Sequence, residues 1–360
     1  MTLYHPKTGK PLQRGRGATL SPDNRYARES RQGVDDGWRP EEIAPPPLVT
    51  TATALKTRRI ITRNDSPDVG FDRSINPYRG CEHGCVYCFA RPTHAWLDLS
   101  PGLDFEARLF YKPDAPALLR KELAESGYRC APVAVGINTD AYQPLERRHQ
   151  LTRRILEVLV ETRHPFTVVT KSALVERDLD LIAQAAARRQ AAVAVSLATL
   201  DRDLARRLEP RAAAPQRRLE TIRRLAEAGV PVTVLVAPLI PVLCDAELEE
   251  VLAAARAAGA RHAGYVLLRL PHELKAMFRD WLACHAPLQA DRVMSHLQAM
   301  RGGRDYDARF GHRMRGGGPY ADLLARRFRL AWKRLSFEPP VALDCSAFRP
   351  PDRHLQMSLF

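Results

Sequence analysis

The chain has 360 residues, a formal net charge of +14, 45% hydrophobic and 27% charged residues. That length can bury a barrel-sized core with extensions, and the composition is that of a globular protein, which excludes a low-complexity or fibrous chain. The longest apolar stretch, Val230 to Leu243, is too short to span a bilayer and is broken by Pro231, Pro238 and Pro241, so no membrane partner is expected.

The opening Met-Thr-Leu-Tyr-His-Pro-Lys has no apolar h-region, which predicts no secretory leader and a cytoplasmic protein. Residues 1–70 read as an N-terminal extension. They are basic and glycine-rich from Arg14 to Gly17, and carry Pro40 and then Pro45, Pro46 and Pro47. No helical or strand period holds for long there. The expectation is a partly disordered arm, with an arm draped over the body as the alternative.

Residues 71–270 alternate apolar runs with amphipathic stretches. A strand is expected near Arg73 to Pro77. Pro132 to Ile137 reads as a short buried strand, after which Leu151, Ile155, Val158 and Leu159 mark one helical face. Phe166 to Thr170 is the next strand and Asp178 to Arg189 the next helix. The strand Ala191 to Leu197 precedes a helix from Pro215 to Ala228, closed by Gly229. Val230 to Val236, a helix from Asp245 to Ala258, and Ala263 to Leu268 complete the series. Strand–helix alternation predicts a parallel sheet with right-handed crossovers, and continuous apolar strands predict cover on both faces. Residues 271–360 turn helical and basic, with helices expected over 273–284, 287–300 and 320–335. A loop rich in glycine and arginine lies between the last two.

Three cysteines fall within eight residues, as Cys81-x3-Cys85-x2-Cys88. Three thiolates can hold three irons of a 4Fe-4S cluster and leave the fourth open to a ligand. A structural zinc site completed by His83 or His94 is the alternative, giving a zinc-stapled nucleic-acid-binding protein without catalysis. The other cysteines, Cys130, Cys244, Cys284 and Cys345, show no framework spacing, as suits a reducing compartment. Cys244 follows a strand and is either a hydrogen donor at the mouth or a small buried hydrophobe.

The spacing, with Tyr87 just before the last cysteine, resembles the signature of the radical S-adenosylmethionine (SAM) superfamily. That resemblance implies a 4Fe-4S cluster on Cys81, Cys85 and Cys88, and SAM as second cofactor. It also implies an external electron donor of the flavodoxin or ferredoxin type. The implied chemistry is cleavage of SAM to a 5′-deoxyadenosyl radical that abstracts hydrogen from a substrate. The implied fold is α/β, a partial (β/α)6 TIM-like barrel, with a doubly wound open sheet as the alternative. The cysteine loop follows the first strand, at the carboxyl ends where parallel α/β folds site their chemistry.

A zwitterionic cofactor with a ribose needs a cation and oxygen partners, and Thr139, Asp140, Lys171 and Ser196 supply these types at strand ends. The segments Thr139-Asp140-x-Tyr142-Gln143-Pro144-x-Glu146, Thr170-Lys171-Ser172 and Leu208-Glu209-Pro210 narrow the resemblance to the branch related to spore photoproduct lyase, the DNA repair photolyase-like proteins. It implies that Thr139 and Lys171 contact SAM. The chain departs from the lyase at Ile137, where the lyase has a cysteine hydrogen donor, and at Phe89, where it has tyrosine. The lyase's own radical return path is therefore not expected. The positive charge makes nucleic acid a candidate partner, with the arginines of residues 301–316, Arg313 and Arg315 among them, as phosphate contacts.

Overall fold

The computed structural model describes residues 4–6, 8, 9, 11–27 and 48–351. Residues 28–47 of the expected arm lie outside the described residues. In chain order the strands are β1 (Thr51–Ala54), β2 (Ile61–Arg63), β3 (Arg73–Ile75), β4 (Tyr78–Arg79), β5 (Arg108–Tyr111), β6 (Val133–Val135), β7 (Phe166–Thr170), β8 (Ala191–Ser196), β9 (Val232–Leu239) and β10 (His262–Leu267). The helices are α1 (Leu103–Ala107), α2 (Ala115–Leu123), α3 (Glu146–His149), α4 (Leu151–Glu161), α5 (Leu179–Ala186), α6 (Arg202–Leu208), α7 (Pro215–Glu227), α8 (Leu248–Ala257), α9 (Leu274–His285), α10 (Ala290–Ala299) and α11 (Pro319–Arg334).

The main sheet runs in the order β10-β9-β8-β7-β6-β3-β2. Six strands from β3 to β10 pair in parallel and in sequence order, while β2 adds antiparallel to β3 at the edge. A doubly wound sheet reverses its order at a switch point; this one never does. Right-handed crossovers that always advance the same way put the connecting helices α4, α5, α7 and α8 on one face. On that face Val168, Val193, Val232 and Val234 are buried. Their neighbours on the opposite face, Thr167, Ala192, Ala194 and Thr233, are half-buried. Full cover on both faces was the expectation; the strands instead have one buried face and one half-buried face.

Residues 1–70 also hold strands that the sequence does not announce. β1 lies parallel to β5 in a small sheet of order β1-β5-β4. β1, of sequence TATA, and β2, of sequence ITR, offer only small or single apolar side chains and are exposed or half-buried, so pairing rather than burial defines them. Residues 16–25 drape over the body. The Asn24 amide donates to Asp98 at 2.9 Å, Ser100 Oγ donates to the Pro22 carbonyl at 2.6 Å, and Arg25 pairs with Glu273 at 3.1 Å.

Candidate active site

The cysteine loop leaves β4 through Gly80, at φ 76°, where a Cβ would meet the Phe105 carbonyl at 2.8 Å. It turns again at Gly84, φ 68°. Only glycine takes both conformations without strain. The Gly84 amide donates to the Cys81 carbonyl (3.3 Å), Cys88 N to Cys85 O (3.2 Å), and Arg91 N to Cys88 O (3.0 Å). The three cysteines are thereby wound into one compact loop.

Three groups of contacts fix that loop. From beneath, the fully buried Arg91 donates through Nε to the Cys85 carbonyl (2.8 Å) and through Nη2 to the Gly84 carbonyl (3.1 Å), and pairs with buried Glu106 at 2.5 Å. Glu106 also accepts the amides of Gly17 and Ala18, both at 2.9 Å, which docks the N-terminal arm on the loop. From the second parallel strand's end, Gln143 accepts the Glu82 amide (3.0 Å). Thr139 Oγ1 donates to the Gly80 carbonyl (2.8 Å). From the far side, residues 208–213 clamp it: Val86 N donates to Leu208 O (3.1 Å), Arg211 N to His83 O (3.2 Å), and the Tyr87 hydroxyl to Glu209.

The donor set separates the two metal readings. A single zinc ion with four ligands at about 2.3 Å would draw their atoms to about 3.8 Å of one another. Among the described residues, the group of three or more His, Cys, Asp or Glu donor atoms gathered within 4.8 Å is His5, Asp280 and Cys284, none of them in this loop. His83 faces Asp140 through Nδ1 at 3.2 Å, and the Nε2 of His94 faces the Arg108 carbonyl at 3.0 Å. Neither imidazole completes a zinc tetrahedron. Three thiols set wider apart in one loop fit a cubane, whose separate irons spread their ligands. Burial raises the Cys81 thiol well above its ordinary range, with Asp140 and the neighbouring thiols adding to it. Burial also raises Cys85 and Cys88. A cationic group bound there would reverse that balance, since a coordinating thiol is deprotonated.

Of the expected SAM-binding residues, Thr139, Asp140 and Lys171 meet this loop directly, and Ser196 is linked to it only through Arg218 and Glu209. The ammonium of Lys171 stands 5.8 Å from the centre of the Tyr87 ring. Asp140 is filled from four sides. Its Oδ1 accepts Thr170 Oγ1 (2.7 Å) and Tyr142 N (2.9 Å), and its Oδ2 accepts Lys171 N (2.7 Å) and faces His83. Burial alone would raise its carboxyl, but His83 and these donors outweigh that and hold it at about 2. Buried Ser196 donates through Oγ to the Ala237 carbonyl (2.8 Å). Cys244 is 1% exposed, and its sulfur accepts the Ile240 amide at 3.2 Å, so it is the small buried hydrophobe. Cys130 precedes β6, at the end of the sheet opposite the cysteine loop. Arg91, Glu106 and Arg211 carried no sequence signal; Glu106 reaches Gly17 and Arg211 reaches Glu82 across long chain separations, and Arg91 acts on backbone carbonyls, which spacing does not reveal.

Residues 75–255, just over half the chain, match the radical SAM superfamily. The chain belongs to that superfamily. An uncharacterized protein of Mycobacterium tuberculosis is 42% identical over 215 residues, covering 59% of this chain and 63% of that protein. One of Methanocaldococcus jannaschii is 28% identical over 193 residues, covering 54% and 69%. The chain thus spans under two thirds of the mycobacterial relative's length. Among solved structures, spore photoproduct lyase complexed with dinucleoside spore photoproduct matches with TM-score 0.57 at 16% identity, over 79% of this chain and 78% of that one. A variant of that lyase with bound AdoMet and the same dinucleoside matches with TM-score 0.55 at 16% identity, over the same shares. At that identity the likeness shows a common radical SAM fold. Among the described residues, no helix is long and apolar enough to cross a membrane.

Proposed function

We propose that this radical SAM enzyme holds a 4Fe-4S cluster on Cys81, Cys85 and Cys88 and binds SAM at the open iron, on a sheet curved as a partial (β/α)6 barrel. When bound, the pair supplies a 5′-deoxyadenosyl radical that takes hydrogen from a substrate, using one electron from a flavodoxin- or ferredoxin-type donor. The observation that carries this reading is the three-thiol loop beside the Lys171 ammonium, at the carboxyl ends of the parallel strands. Lys171 is the proposed partner of the SAM carboxylate. Thr139, Ser196 and Tyr87 are proposed to line the cofactor's remaining surface. Asp140, whose oxygens are already taken, is proposed to act by holding Lys171 and His83 in place. Nucleic acid is the favoured substrate class on the net charge of +14.

Anaerobic incubation with SAM and dithionite tests this. The expected product is 5′-deoxyadenosine, from a brown protein whose iron is lost in each of Cys81→Ala, Cys85→Ala and Cys88→Ala and kept in Cys130→Ala and Cys345→Ala. Near-normal iron in any of the first three would overturn the assignment.

A further inference from the structure

Two neighbouring arginines, one of them packed on the cysteine loop, have no salt-bridge partner among the described residues. Arg269 follows β10, and its guanidinium lies 4.9 Å over the ring of Phe89, the residue directly after Cys88. Arg301 follows α10 and is 3% exposed. Its Nη2 donates to the Leu268 carbonyl at 2.6 Å, and its guanidinium lies 5.6 Å over the Tyr306 ring. The Nε atoms of both arginines are buried and make no hydrogen bond. Among the described residues neither has a carboxylate within salt-bridge distance. The nearby acids are engaged elsewhere: Asp68 pairs with Arg313, and Asp307 with Arg309 at 2.7 Å. Burial, with the charge of Arg269 adding, presses Arg301 below its ordinary value against the pull of Tyr306 and of Asp307, which stands beyond salt-bridge reach.

Arg301 is buried and Arg269 half-buried, and a charge taken out of water without an ion-pair partner is costly. Here the missing partner is an anion at the mouth of the sheet. We propose that Arg269, backed by Arg301, forms an oxyanion site beside Phe89 that takes a phosphoryl or carboxylate group of the substrate. The guanidinium fork matches both groups. That the group belongs to the substrate rests on the radical SAM reading above; that the pair binds an oxyanion does not. The phosphate contact expected of Arg313 passes to Arg269, because Arg313 is held by Asp68 and Ser66.

The test titrates inorganic phosphate and, separately, acetate into the anaerobic cluster-loaded protein at constant ionic strength, following the thermal midpoint. A saturable rise is expected, and the stronger of the two ions names the group. Arg269→Gln weakens the response at least tenfold, and Arg269→Lys, which keeps the charge without the fork, weakens it less. Arg301→Met weakens it too; should that variant not fold, the two Arg269 variants carry the test. Iron and 5′-deoxyadenosine are measured on the same samples, so their absence would fail the radical reading and leave the anion result standing. No saturable response in the wild type, or an equal one in Arg269→Gln, overturns the proposal.

Discussion

The Lys171 ammonium sits 5.8 Å from the centroid of Tyr87, and the Lys171 amide is held by Asp140 at 2.7 Å. Main chain and side chain are thus both oriented by residues packed on the cysteine loop. Lys171→Ala should keep the cluster and weaken SAM binding by about 1.5–3 kcal/mol, the range for a hydrogen bond to a charged group. Following the reduced cluster's EPR spectrum during SAM titration measures it. Unaltered affinity would make Lys171 a structural residue.

The arm crosses the cysteine loop at a point with no spare room. A Cβ on Gly17 would stand 1.8 Å from the Gly84 carbonyl oxygen, backbone against backbone. Gly17→Ala should therefore lift residues 16–18 from Glu106. Amide exchange at Gly17 and Ala18 should speed up, and the cluster should bleach faster in air. Exchange rates equal to wild type would show that the arm does not seal the loop.

What could be read from the sequence was local. Val168, Val193 and Val234 lie in short apolar runs between amphipathic helices, and the three cysteines share one loop, so periodicity and spacing suffice for both. The rest depends on contacts between distant residues. Glu209 meets Tyr87 across 122 residues and Glu106 meets Gly17 across 89. Asp140 carries the residue type of a ligand, yet its neighbours make it a hub; only the packed structure counts its four donors. β1 and β2 escaped because an edge strand of three or four residues, with only small or single apolar side chains, is too short to show a hydrophobic period.

His164 gives the fold an acid limit. It is buried, with Nε2 2.7 Å from the Tyr128 hydroxyl and Nδ1 3.0 Å from the Pro165 carbonyl. Burial lowers its pKa from 6.5 to about 4, Arg73 adding and the carbonyl opposing. Because the folded value is depressed, stability is fully present above pH 6.5 and is lost as the pH falls towards 4. The full loss is about 3 kcal/mol. Urea unfolding across that window should show it, and His164→Gln should remove its share. An identical pH dependence in the variant would contradict the assignment.

Glu209 joins the cysteine loop to the strand ends. It accepts the Tyr87 hydroxyl and pairs with Arg218, both arginine and carboxylate being buried. Arg218 in turn donates through Nε to the Ala213 carbonyl (2.7 Å) and through Nη1 to the Ser196 carbonyl (2.9 Å). Removing one partner of such a pair strands the other charge, so Arg218→Met should cost about 3–5 kcal/mol. Replacing both, as Glu209→Leu with Arg218→Met, should regain most of that stability, since a buried ion pair and an apolar pair of similar volume are often equivalent. The phenol of Tyr87 stays without its acceptor in the double variant. If Glu209 positions the loop, that protein will melt near the wild-type temperature yet show an altered EPR signal on SAM addition. A double variant with wild-type stability and a wild-type signal would reduce Glu209 to a structural partner of Arg218.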